Sequence, residues 1–136
     1  MAVVIASLTL VGSACSSSST SSPDQAIVVD GALELVAPKT FADRIGEGSP
    51  VIIDVRTAEE FAAGHIAGAQ LIDISSSDFK SRVEALDRAG TYFVYCRSGN
   101  RSAAATALMV DLGFSSLVEL DGGVLAWGSE GFPLTK

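Results

Sequence analysis

A chain of 136 residues is long enough for one well-cored domain and short for two. With 48% hydrophobic and 18% charged residues it can build a core and is not disordered overall. Nine Lys and Arg against sixteen Asp and Glu leave a net charge of −7, which excludes general nucleic-acid or anionic-lipid binding through the surface. Two Cys and one His exclude a multi-disulfide scaffold, and a four-ligand zinc site would need carboxylates to fill it. No metal and no cofactor is expected.

Residues 1–23 contain no charged side chain. The apolar run 2–11 is too short to span a bilayer and fits the hydrophobic region of a signal peptide. Gly12-Ser13-Ala14-Cys15 follows it, and then a tract of Ser and Thr up to Pro23. Small residues before a Cys and a Ser-rich tether resemble a bacterial lipoprotein signal, although Gly12 stands where a branched apolar residue is usual. That resemblance implies cleavage before Cys15, lipidation of its thioether, and a protein anchored in the membrane facing the periplasm or exterior. Two or more acyl chains hold firmly where one is marginal. A plain secretory signal cut near Ala14, or a frayed apolar N-terminus, are the alternatives. The expected divisions are a signal peptide at 1–14, a tether at 15–30 and a folded domain at 31–136.

From residue 24 onward strand and helix signals alternate. Residues 34–37 form a short strand candidate stopped by Pro38, and 39–46 a helix with Phe41, Ala42 and Ile45 on one face. Val51-Ile52-Ile53 is an unbroken β-branched run between Pro50 and Asp54, the mark of a strand covered on both faces. Thr57 and Glu60 have capping-box spacing at the head of a helix over 58–63. Residues 70–72 form another strand, and Ser77 or Asp78 caps a helix with Phe79, Val83 and Leu86 inward. Residues 92–95 give the strongest strand signal. An Ala-rich helix over 101–112, apolar nearly all round, closes at Gly113. Residues 117–120 form the last strand, and Gly122-Gly123 turns into a short helix around Leu125 and Trp127, with Trp127 in the core. Strands separated by helices predict an open, mostly parallel α/β sheet with helices on both faces.

One segment carries chemistry. Cys96 directly follows the strand at 92–95, and Cys96-Arg97-Ser98-Gly99-Asn100-Arg101 leads into the next helix. Ligand sites of open α/β sheets lie beyond the carboxyl ends of the strands. A tight strand–loop–helix turn aims backbone N–H groups and the positive helix end at one point. A thiolate there is stabilised, so the Cys96 pKa falls and its reactivity near neutral pH rises. Gly99 lets the loop curl, and Arg97 and Arg101 supply charge for an anionic substrate. A buried, inert Cys at a strand end is the competing reading. The two arginines and small polar neighbours argue against it.

Four segments together resemble a single-domain rhodanese, a sulfurtransferase family: Asp54-Val55-Arg56 with Glu60-Phe61, Gly64-His65-Ile66-Ala67-Gly68-Ala69, Cys96 to Ser102, and Gly122-Gly123-Val124-Leu125-Ala126-Trp127. The register runs from about Glu34 to Pro133, and Ala67 stands where the family usually has Pro. The resemblance implies ping-pong transfer: the Cys96 thiolate takes the outer sulfur of thiosulfate or a similar anionic donor, and the persulfide passes it to cyanide or a thiol. Loop amides with Arg97 or Arg101 would stabilise the anionic persulfide. A longer Cys-x5-Arg loop marks phosphatases of the related fold, whereas four residues separate Cys96 from Arg101 here. The family also includes binding or persulfide-carrier modules, so an envelope module with an unidentified protein partner is the alternative function. His65, the one histidine, is expected to orient loops by hydrogen bonding rather than to act as a base. Asp54 and Arg56 form either an ion pair bracing the loop or a solvated strand end. Glu60 is expected as a helix cap.

Overall fold

The structure, a computed structural model, describes residues 27–28 and 31–136. Cys15, the proposed signal peptide and most of the tether lie outside the described residues.

Six strands form one sheet in the order β1-β2-β6-β5-β3-β4. In chain order the elements are β1 (Ile27–Val28), β2 (Leu33–Val36), α1 (Pro38–Gly46), β3 (Val51–Asp54), α2 (Ala58–Ala63) and β4 (Ala69–Leu71). There follow α3 (Phe79–Glu84), β5 (Thr91–Tyr95), α4 (Asn100–Asp111), β6 (Ser116–Leu120) and α5 (Gly123–Ser129). All neighbouring strands pair parallel except β1, which adds antiparallel to β2 through Ile27 opposite Leu35. The expected α/β sheet with helices on both faces is therefore present, and β1 is a small addition drawn from the segment assigned to the tether.

Each face has its own core, because alternate residues of a strand point to opposite sides. Ile53, Val94 and Leu117 pack on one face with Phe79 and Val83 of α3 and Ala105 and Met109 of α4. Ile52, Phe93 and Val118 pack on the other with Phe41 of α1 and Trp127 of α5. The β-branched run in β3 is thus split residue by residue between two cores. Trp127 is buried and donates its indole N–H to the Pro133 carbonyl at 3.0 Å.

Helix α4, apolar nearly all round in its sequence, buries one face only. Ser102, Ala105, Thr106 and Met109 face inward, whereas Ala103, Ala104 and Ala107 are exposed. Alanine is the best helix former and costs little at the surface, so the Ala run reports propensity rather than burial. The polar residues on its inner face have a specific partner, described below.

Candidate active site

The loops after β3, β5 and β6 meet at the carboxyl edge of the sheet. The central one, Cys96 to Arg101, is shaped by Gly99, whose φ of +106° makes it the left-handed residue before α4. From this position the Gly99 N–H donates to Cys96 Sγ at 3.1 Å. The loop is gripped from behind by α5. Val124 N–H donates to the Cys96 carbonyl at 3.0 Å and Leu125 N–H to the Arg97 carbonyl at 3.1 Å. With its carbonyls held outward in this way, the loop is free to turn amides toward the sulfur. Gly123 makes the contact possible: its φ is +58°, and a Cβ there would stand 2.5 Å from the Cys96 carbonyl oxygen.

Cys96 is buried, with 1% of its surface exposed, and makes no disulfide among the described residues. Burial pushes its thiol up, but hydrogen bonds from the Ser102 hydroxyl and from the Ser102, Gly99 and Ser98 amides outweigh that effect. The net result is a pKa below the ordinary value. Donors that favour the charged form outweigh desolvation, so the loop is an environment that stabilises a thiolate.

The two loop arginines have different fates. Arg101 is not held toward the sulfur as a free cation. It makes a two-pronged pair with Glu60, Nη1 and Nη2 each 2.7 Å from a carboxylate oxygen. Glu60 also completes the expected capping box: Thr57 Oγ1 accepts from the Glu60 N–H, and the Glu60 carboxylate accepts from the Thr57 N–H. Arg101 and the Thr57 groups hold the Glu60 carboxyl at about 2, against the desolvation that would raise it. Arg97 is exposed and pairs with no carboxylate among the described residues. It lines a small cleft of about 220 Å³ with Arg56, Glu60, Val124, Leu125 and Leu134.

Asp54 and Arg56 are a buried ion pair, which resolves the alternative left open by the sequence. Asp54 is 0% and Arg56 5% exposed, and Arg56 Nη2 lies 2.7 Å from both Asp54 Oδ2 and the Gly64 carbonyl. The Arg56 guanidinium stands 5.7 Å from the Tyr95 ring centre. Tyr95 OH in turn accepts from the Ile66 N–H, and the Val55 N–H donates to the Tyr95 carbonyl. The cluster therefore fixes the residue immediately before Cys96. His65 makes its contacts elsewhere: Nδ1 lies 3.0 Å from the Phe61 carbonyl, the ring stacks on Phe61, and the backbone pairs with Thr135. These contacts tie the turn before β4 to α2 and to the chain near Thr135.

Sequence reasoning missed Ser102 and Glu119 as members of the site. Ser102 Oγ lies 2.6 Å from Glu119 Oε1 and 3.0 Å from the Gly99 carbonyl, while Thr106 Oγ1 lies 3.1 Å from Glu119 Oε2. A signal was available in a Glu within the otherwise apolar strand 117–120 and in Ser102 and Thr106 one helical turn apart. Among the described residues no group of three or more His, Cys, Asp or Glu is placed to hold a metal ion. No helix there is long and apolar enough to cross a membrane.

Comparison with known proteins fits this geometry. Thiosulfate sulfurtransferase GlpE of Pseudomonas fluorescens is 38% identical over 91 residues, covering 66% of this chain and 81% of that protein. The probable adenylyltransferase/sulfurtransferase MoeZ of Mycobacterium tuberculosis is 36% identical over 96 residues, which are 70% of this chain but 24% of that longer protein. A rhodanese-related protein of Thermoplasma volcanium superposes with a TM-score of 0.65 at 32% identity, covering 74% of this chain and 95% of its own. A rhodanese-like domain protein of Staphylococcus aureus gives 0.63 at 30% identity, covering 75% and 98%. The family model of the rhodanese-like domain matches residues 37–130, which span α1 through α5 and every segment of the site, and the chain belongs to the rhodanese-like sulfurtransferase family.

Proposed function

We propose that this protein transfers a sulfane sulfur from thiosulfate or a similar small anionic donor to a nucleophilic acceptor through a persulfide on Cys96. The Cys96 environment carries the reading: a buried sulfur whose pKa is lowered by an encircling set of N–H and O–H donors. In the first half-reaction the thiolate attacks the outer sulfur of thiosulfate. A new S–S bond forms, the bond to the sulfite sulfur breaks, and sulfite leaves with the electron pair. The persulfide retains one negative charge, which the loop donors stabilise. In the second half-reaction cyanide or a thiolate attacks the outer sulfur, and the Cys96 thiolate departs. No proton needs to be removed from Cys96 once it is ionised, so no general base is required and His65 is left to its orienting contacts.

Arg97, rather than Arg101, supplies the open positive charge at the loop, because Glu60 already neutralises Arg101. The shared family with GlpE supports thiosulfate as donor. The test is intact mass after incubation with thiosulfate. A gain of one sulfur that cyanide removes, absent in Cys96→Ala, is the expected result. A Cys96→Ala protein that still turns over would overturn the assignment. For location, we propose lipid attachment at Cys15, supported by the apolar run and the small residues before it. Cys15→Ser then moves the protein out of the membrane fraction, and unchanged fractionation refutes the anchor.

A further inference from the structure

A buried acid that the sulfur-transfer chemistry does not use sits one residue beyond the nucleophile's immediate partners. Glu119 is 4% exposed on β6, and no arginine or lysine pairs with it among the described residues. Its carboxyl oxygens instead meet two hydroxyls of α4, Ser102 at 2.6 Å and Thr106 at 3.1 Å. Around it the other titratable groups are Asp121, at the end of the same strand, and Cys96 beyond Ser102. Strand β2 contributes only Leu33 and Leu35 to the cleft of about 440 Å³ that opens beside Glu119. A lone carboxylate in such surroundings is costly unless it stays protonated. Burial and Asp121 both push the Glu119 carboxyl up, against the two hydroxyls, and the balance is upward.

Proton counting gives this arrangement a consequence at the sulfur. Ser102 has one hydroxyl proton and two acceptors at hydrogen-bond distance, the Gly99 carbonyl at 3.0 Å and Glu119 Oε1 at 2.6 Å, and its hydroxyl also helps lower the pKa of Cys96. An ionised Glu119 would claim that proton through a short, charge-assisted bond. A neutral Glu119 reverses the direction. It donates to Ser102 Oγ, and the Ser102 proton is released toward the thiolate or persulfide.

We propose that Glu119 is a positioning residue held as the neutral acid, donating to Ser102 so that the Ser102 hydroxyl donates to the Cys96 sulfur. The proposal rests on Cys96 being the nucleophile, but its test needs no sulfur donor. Failure here and failure of the sulfur-transfer reading are therefore distinguishable.

The experiment follows iodoacetamide alkylation of Cys96 against pH in the full chain, read by peptide mass. It compares wild type with Ser102→Ala, Glu119→Leu, Glu119→Gln and the Ser102→Ala/Glu119→Leu double variant. Ser102→Ala and Glu119→Leu each raise the thiolate pKa by about one unit, a roughly tenfold loss of thiolate below that pKa. The double variant shifts no further than either single one, because both act through the same hydroxyl. Glu119→Gln, which keeps an N–H donor and never ionises, restores the low pKa. Additive shifts, a Gln variant that behaves as Leu does, or a Leu variant that only lowers Tm would each overturn the relay. Infrared difference spectra of wild type against Glu119→Gln give a reading that survives any folding failure of the Leu variant. A protonated-carboxyl stretch near neutral pH supports the proposal, and a carboxylate band alone refutes it.

Discussion

Replacing Gly123 by Ala tests whether α5 sets the active-site loop. The added Cβ would lie 2.5 Å from the Cys96 carbonyl oxygen and 2.6 Å from the Arg97 carbonyl carbon and oxygen. These are backbone atoms with no rotamer to move away, so about 0.9 Å of separation is needed before the contact is ordinary. A displacement near 1 Å at a reacting centre costs on the order of 10²-fold in rate. The left-handed φ of +58° adds strain for any residue with a Cβ, roughly 1–2 kcal/mol. Weakening the Val124–Cys96 and Leu125–Arg97 hydrogen bonds adds about 1 kcal/mol each. Gly123→Ala is therefore expected to lose about 2–4 kcal/mol of stability. In thiosulfate-to-cyanide assays its kcat/KM falls by about 10² at a temperature where it remains folded. Gly128→Ala, in the same helix with nothing within 4 Å of its Cβ, is the control and is expected to be neutral or slightly stabilising. A Gly123→Ala protein with wild-type kcat/KM would refute the idea that this contact positions the nucleophile.

The Glu60 carboxyl, held at about 2 against an ordinary 4.5, makes stability depend on acid. The unfolded chain binds its proton first, so the contribution is fully present above the ordinary value and disappears as pH falls through the folded one. Tm measured across that window is expected to fall more steeply for wild type than for Glu60→Gln, and parallel curves would refute the coupling. Arg97→Ala is expected to raise KM for thiosulfate by about tenfold with a smaller change in kcat, the loss of a charge-assisted hydrogen bond. An equal loss in Arg101→Gln but none in Arg97→Ala would reverse the roles assigned to the two arginines.

What the sequence made legible was local. The β-branched run at Val51-Ile52-Ile53, the Thr57–Glu60 cap and the Cys96 loop each depend on residues a few positions apart, and the structure contains all three. Element boundaries moved by a residue or so, as at β2, where the strand begins at Leu33 rather than Glu34. The partnerships that were missed span longer distances. Glu60 meets Arg101 across 41 positions, and Ser102 meets Glu119 across 17. Both pairings follow from the parallel strand order, which no local spacing encodes. The Ala run of α4 left its buried face undefined for a different reason. Alanine satisfies helix propensity and small-side-chain packing equally, so its presence cannot tell an inner face from an outer one.

On the proposed persulfide cycle, the near-complete enclosure of Cys96 would divide the work between two sulfur atoms. A thiol with 1% of its surface open meets only what can enter a six-residue ring of backbone. A sulfur delivered to Cys96 in that cycle would extend the side chain by a bond of about 2 Å. An acceptor then has to reach only this outer atom, while the atom that stays behind remains sheltered from the oxidants that would carry a bare thiolate to sulfinic acid. The proposed cycle would thus screen donors by size at the resting protein and present acceptors with the persulfide instead.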